Sequence, residues 1–307
     1  MSTLIGTPML PASVDADFPL NAQFSLAPFT TFRAGGPAEW LATPRSVDDL
    51  QASLAWAQER SLSVTLLGAG SNLLISDQGL PGLVICTRYL RQAEFDRETG
   101  RVTVAAGEPM ATLAWKAAKH GCTGLEWMVG IPGTMGGAVV MNAGAHGSDT
   151  AAILVSTDVL NPDGTISTLT AEDLGYQYRT SILQGDPRIV LRATLQLRPG
   201  GDPAAIKAAT AADLHQRRST QPYHLPSCGS VFRNPKPHSA GRLIEAAGLK
   251  GFQIGQAQIA ERHANFILNL GGATATDILN VIRHAQVVIH DKHDIQLRPE
   301  VQILGAF

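Results

Sequence analysis

Gly130-Ile131-Pro132-Gly133-Thr134-Met135-Gly136-Gly137-Ala138, followed after Val139-Val140 by Met141-Asn142-Ala143-Gly144-Ala145, places five glycines and one rigid proline in a short stretch with no charged residue. Such a segment presses backbone against something that supplies hydrogen-bond partners, because buried N–H groups must be satisfied. A long, uncharged cofactor path fits this, and so does a glycine-rich β-corner. A second loop weighs on the side of the cofactor. Gly68-Ala69-Gly70-Ser71-Asn72-Leu73 follows the buried strand pattern Val64-Thr65-Leu66-Leu67. Its glycines let consecutive N–H groups turn toward one point and form an anion nest, with Ser71 and Asn72 adding side-chain donors. It is not a GxGxxG dinucleotide fingerprint, since no third glycine opens a helix there. Taken alone, an ordinary strand-to-turn connection reads the same way.

Outward from these loops the pattern mixes strands and helices. Residues 38–60 read as a short strand and a helix that starts at Asp48-Asp49. Leu83–Cys86 and Arg101–Ala105 read as strands, and 109–120 as a helix closed by Gly121. Val155–Leu160 and Ile166–Leu169 form a hairpin around the turn Asn161-Pro162-Asp163-Gly164, and 188–197 alternate as a half-exposed strand. Pro199-Gly200-Gly201-Asp202-Pro203 marks a boundary. Beyond it come helices over 203–218 and 239–247, a strand over 264–270, an amphipathic helix over 276–290 with Ile278, Ile282, Ala285 and Ile289 on one face, and a strand over 295–304 broken by Pro299. The expectation is an α+β protein: a loose leader over 1–20, a strand-rich region over 21–200, and a smaller α+β domain over 201–307.

Composition limits the function. In 307 residues the apolar fraction is 44% and the charged fraction 16%, with a net charge of −2, so no basic field exists to draw nucleic acid or anionic lipid. No run approaches the ~18 apolar residues that a membrane span needs. The three cysteines (Cys86, Cys122 and Cys228) form no CxxC pair, and no His/Cys cluster has zinc spacing, which points to a reducing compartment and no structural zinc. The absence of a basic, apolar start fits a cytoplasmic protein.

Three further stretches carry chemistry. Tyr176-Gln177-Tyr178-Arg179-Thr180-Ser181 holds an arginine between aromatic rings; such a cation usually stacks on the surface, and it can also grip a carboxylate with two parallel bonds. Ser227-Cys228-Gly229-Ser230-Val231-Phe232-Arg233-Asn234-Pro235 presents Ser230 on a tight turn, although a lone serine is more often a cap. No His–Asp pair has a spacing that ties it to Ser230 as a hydrolase triad. Leu297-Arg298-Pro299-Glu300-Val301 puts a glutamate in a strand-like segment, where a cleft would shift its pKa.

Together with Pro28-Phe29-Thr30-Thr31-Phe32-Arg33-Ala34-Gly35-Gly36-Pro37, these loops and stretches resemble the UDP-N-acetylenolpyruvoylglucosamine reductase family from about residue 21 to the C-terminus. The resemblance implies a vanillyl-alcohol-oxidase-type FAD domain in two α+β lobes, split near residue 88, and a C-terminal substrate domain. It implies noncovalent FAD held by Arg33, by Gly68, Ala69, Gly70, Ser71, Asn72 and Leu73, and by Gly130, Ile131, Pro132, Gly133, Thr134, Gly136, Gly137, Asn142, Ala143 and Gly144. NADPH is the implied co-substrate and a UDP-sugar the substrate. Arg179, Ser230 and Glu300 are the implied catalytic group. Asn234 matches the family's UDP-sugar contact, with Arg218, Gln221 and His263 as looser candidates. Cys228 stands where the family pattern has a small residue, usually alanine. The chain between 192 and 219 resembles a shorter branch that lacks a tyrosine-bearing insert. A monomer acting in cell-wall precursor synthesis is the implied context. An FAD-dependent alcohol oxidase of the same fold would keep the glycine loops but would need no pairing of Ser230 with Glu300.

Overall fold

The computed structural model describes residues 18–307; the expected leader falls outside these up to residue 17. Residues 18–20 are built into the fold. Phe18 is buried edge-on against Trp56, and Leu20 opens the first strand.

The first lobe comprises β1 (Leu20–Ser25), β2 (Pro37–Ala42), α1 (Val47–Glu59), β3 (Val64–Leu67), β4 (Leu73–Ile75) and β5 (Leu80–Cys86). Its sheet runs β1-β2-β5-β3, with β1 antiparallel to β2 and the other pairs parallel. A capping box between Ser46 and Asp49 starts α1, satisfying N–H groups that the first turn leaves free. Leu50, Trp56 and Ala57 then face the sheet, beside Leu83 and Ile85. A single 3-10 turn, Thr87–Tyr89, leads into the second lobe.

That lobe holds β6 (Ala93–Phe95), β7 (Arg101–Ala105), α2 (Met110–Lys119), α3 (Met135–Met141), the ribbon β8 (Gly144–Ala145) and β9 (Ser148–Asp149), then β10 (Leu154–Leu160), β11 (Ile166–Thr170) and β12 (Ile189–Gln196). Its sheet, β11-β10-β12-β7-β6, is antiparallel throughout. Val102, Val104, Leu113, Met135, Val139 and Leu195 are fully enclosed between this sheet and α2 and α3. Leu160, Ile189 and Leu191 leave the second sheet to pack in the first lobe's core, so the two lobes share an apolar seam.

Helix α4 (Pro203–Thr220), capped by the Asp202 side chain, was expected to open the C-terminal domain. It instead packs on α2, with Ile206 buried and Leu214 half-buried against the second lobe's core. The proline- and glycine-rich segment at 199–203 therefore turns the chain within a lobe.

The remaining domain has α5 (Ala240–Ala246), a three-stranded sheet of β13 (Gln253–Ile254), β14 (Ala257–Ile259) and β15 (Ile267–Asn269), and α6 (Ala275–His293). Ile278, Ile282, Ala285 and Ile289 form the buried face of α6, as their spacing predicts. Asp77 of the first lobe accepts from the N–H groups of Ala275 and Thr276 at 2.7 and 2.9 Å, tying the start of α6 to that lobe.

The tail differs from expectation. Pro299 has no N–H to give a ladder, and only Gln302–Leu304 forms a strand, β16. It runs parallel to β4, pairing Gln302 with Leu73, so the chain returns to the first lobe. Among the described residues no helix is long and apolar enough to cross a membrane.

Candidate active site

A cleft of about 1090 Å³ runs where the two lobes and the C-terminal domain meet. Gly68, Ala69, Gly70, Ser71, Asn72 and Leu73 line one wall; Ile131, Pro132, Gly133, Thr134, Gly136, Gly137, Ala143 and Gly144 line another. The two loops touch: a Cβ added at Gly68 would lie 2.9 Å from Thr134 Oγ1. Gly136 donates its N–H to Ala106 O at 2.8 Å, which leaves no room for a larger residue there.

Around Gly68–Asn72, three successive peptide planes are held from one side. Arg88 donates to the carbonyl oxygens of Gly68 and Ala69, and the Thr31 N–H donates to Gly70 O at 3.1 Å. In a planar trans peptide the C=O and the following N–H point in opposite directions. The N–H groups of Ala69, Gly70 and Ser71 therefore point the other way, and none of them donates within the described protein. Three unspent amides in a glycine turn make an anion nest, which fits the diphosphate of FAD.

The same cleft gathers the expected reactive side chains. Arg179, Ser230 and Glu300 all line it. Arg179 Nε donates to Glu300 Oε1 at 3.1 Å, with the side chains 23% and 15% exposed. Arg179 also donates to Gly144 O at 2.7 Å and to Asn142 O at 3.4 Å, which engages three of the five guanidinium N–H groups. Its backbone is left-handed at φ 56°, and Gln184 fixes it there by donating Nε2 to Arg179 O at 2.8 Å. The guanidinium also stacks on Tyr178 at 5.1 Å, so the ring contact and the cleft position coexist.

Ser230 and Glu300 are joined through backbone. Glu300 N–H donates to Val231 O at 2.7 Å, and Arg233 N–H donates to Arg298 O at 3.0 Å. Asn265 clamps the same turn: its Oδ1 accepts from Phe232 N–H at 2.9 Å while its Nδ2 donates to Phe232 O at 2.8 Å. Burial raises the Glu300 pKa above the ordinary carboxylate value, against the opposing pull of Arg179 and Arg233. Burial also pushes the Cys228 thiol well up and holds the His263 imidazole below its usual value.

Four expected contacts lie elsewhere. Gly130 lines neither cleft, because Tyr223 OH donates to its carbonyl and the Arg217 side chain covers it. Asn142 is the left-handed cap of α3, and its buried amide is spent on Asp149, Gln177 O and Ala151 N–H, so it does not face the cleft. Arg33 lines a smaller adjoining cleft of about 520 Å³ with Arg88 and Arg217. Arg218 is exposed and lines neither cleft; one helical step of about 100° turns Arg217 inward in its place. Gln221, Asn234 and His263 do line the main cleft, with Asn234 Oδ1 also accepting from Ala240 N–H. His146 is exposed and lines neither cleft. Sequence reasoning missed Gln184, Arg217 and Asn265; only the helical register of 203–220 could have signalled one of them, Arg217.

Residues 38–170 match the FAD binding domain family, and residues 221–304 match the family described as UDP-N-acetylenolpyruvoylglucosamine reductase, C-terminal domain. Fold, nest and cleft define the chain as an FAD-dependent oxidoreductase. It is similar to the UDP-N-acetylenolpyruvoylglucosamine reductases of Trichormus variabilis (61% identical, covering 94% of this chain and 87% of that protein) and of Synechocystis sp. (57%, covering 94% and 92%). Its structure is similar to that of the reductase from Thermus caldophilus, with a TM-score of 0.78 at 34% identity over 94% of this chain and 99% of the other. The chain belongs to the UDP-N-acetylenolpyruvoylglucosamine reductase family.

Proposed function

We propose that this enzyme uses NADPH to reduce the enolpyruvyl double bond of UDP-N-acetylglucosamine enolpyruvate, giving UDP-N-acetylmuramate for peptidoglycan synthesis, as a cytoplasmic monomer. The observation that carries this reading is the convergence of Arg179, Ser230 and Glu300, far apart in the chain, on one cleft, where Arg179 pairs with Glu300 and the Glu300 N–H meets the carbonyl of Val231, next to Ser230.

Bound FAD supplies the hydride carrier between NADPH and the sugar. Arg179 has two N–H groups left after its contacts to Glu300, Gly144 and Asn142, enough to grip the substrate carboxylate in parallel and to stabilise the enolate-like charge that develops beside it. Ser230 gives its proton to the carbon next to that carboxylate. Glu300, raised in pKa by burial and backbone-linked to the same turn, stabilises or relays the acid. Asn234, Gln221 and His263, which line the same cleft, take the nucleotide sugar in this reading.

The test is spectroscopic. The purified protein should be yellow, anaerobic NADPH should bleach it, and the UDP-enolpyruvyl sugar should restore the colour. Recolouring by oxygen alone, with no effect of the sugar, would mark an oxidase and end this reading.

A further inference from the structure

Arg88 sits behind the cofactor loop. It immediately follows β5 and Thr87, lines the small adjoining cleft and not the main one, and places its guanidinium against three carbonyl oxygens. Nε donates to Gly68 O at 3.4 Å; Nη2 donates to Phe29 O at 2.8 Å and to Ala69 O at 3.2 Å. The same group lies over the Phe29 ring at 4.9 Å. Two chain segments, 28–33 and 68–72, are thus held by one planar fork. Gly70 is pressed against the same Phe29 carbonyl, at φ 64°, where a side chain has no room.

We infer that Arg88 is a positioning residue for FAD: it fixes the Gly68 and Ala69 carbonyls backward, and so sets the direction of the Ala69 and Gly70 amides that receive the diphosphate. The planar peptide makes this a geometric necessity, since turning either carbonyl turns the next N–H with it. Without a donor behind them these carbonyls compete for the anion's place, and the nest loses its preorganisation. A fork with fixed geometry is needed, because an ammonium is a point charge on a flexible stem and does not hold three acceptors in one plane. Arg88 lies outside the cleft that holds Arg179, Ser230 and Glu300, so its effect falls on FAD affinity and not on the reacting atoms.

The experiment measures FAD release from the purified holoenzyme, by recovery of flavin fluorescence on dilution, together with turnover at saturating added FAD. Arg88→Met and Arg88→Lys are compared with Arg192→Met, which breaks an ion pair to Asp158 on the second sheet, away from the loop. Both Arg88 variants are expected to weaken FAD binding by about 10- to 100-fold, as loss of a multi-dentate charge-assisted contact implies. Turnover at saturating FAD is expected to stay within about threefold of wild type. Arg192→Met should leave FAD affinity unchanged. If Arg88→Met does not fold, Arg88→Gln, which can reach one carbonyl, serves in its place. FAD affinity within twofold of wild type overturns the inference. So does full recovery by lysine, which would make charge and not geometry the cause, and so does a loss of turnover that saturating FAD does not restore.

Discussion

Asn72 Nδ2 donates to the backbone carbonyl of Glu300 at 3.1 Å, across 228 residues of chain. Gln302 N–H returns the contact to Asn72 O at 2.9 Å, and β16 continues it along β4. The residue that closes the cofactor loop thereby also anchors the acid. Asn72→Ala should slow the sugar-dependent half-reaction about 10-fold while changing NADPH bleaching little, because the lost bond positions Glu300. Stopped-flow comparison of the two half-reactions checks this.

The raised pKa of Glu300 has a stability consequence with a definite sign. A group whose folded pKa lies above its unfolded value stabilises the fold fully below the unfolded value, here 4.5, and loses that contribution as pH rises through the folded value. Glu300→Gln does not titrate. The stability of wild type minus that of the variant should therefore decline as pH rises above 4.5 and then level off. Thermal melts across that range provide the test, and a difference that grows with pH would contradict it.

The Asn265 clamp predicts a stability loss and a catalytic one together. Asn265→Ala leaves the Phe232 N–H and C=O buried without partners, costing about 2–4 kcal/mol, and frees the turn that carries Ser230. Denaturant unfolding gives the first effect; slower recolouring by the sugar gives the second.

Helix α4 should behave as part of the second lobe. In hydrogen exchange its amides are expected to be protected along with those of α2 and not with those of α6. Ile206→Ala should cost about 2–4 kcal/mol, as removal of a well-packed core side chain does.

Much of this fold is legible in sequence where local pattern and tertiary need agree. Arg101–Ala105 is a strand with the bounds its alternation suggests, and the Ile278–Ile289 face of α6 follows from helical spacing. The Asn161–Gly164 turn likewise falls between β10 and β11. Helix α4 was readable as a helix but not in its allegiance, since Ile206 and Leu214 mark a buried stripe without saying which core buries it. The strand β1, Leu20–Ser25, escaped because its residues are mostly exposed and alternate weakly. In the site, the glycine loops and the arginine, serine and glutamate stretches were visible as residue types. The bonds of Arg88, Asn265 and Gln184 go to backbone atoms distant in sequence, and no side-chain pattern encodes those. Asn142 shows the converse: an asparagine in a glycine-rich loop looks like a ligand donor, yet its left-handed backbone and buried amide make it a cap.

The most direct test is Ser230→Ala, followed by flavin absorbance in each half-reaction. Bleaching by NADPH should proceed at the wild-type rate, and recolouring by the UDP-enolpyruvyl sugar should slow by about 10²-fold or more, the usual scale for a lost proton donor. Equal slowing of both, or of neither, would contradict the assignment of Ser230 as that donor.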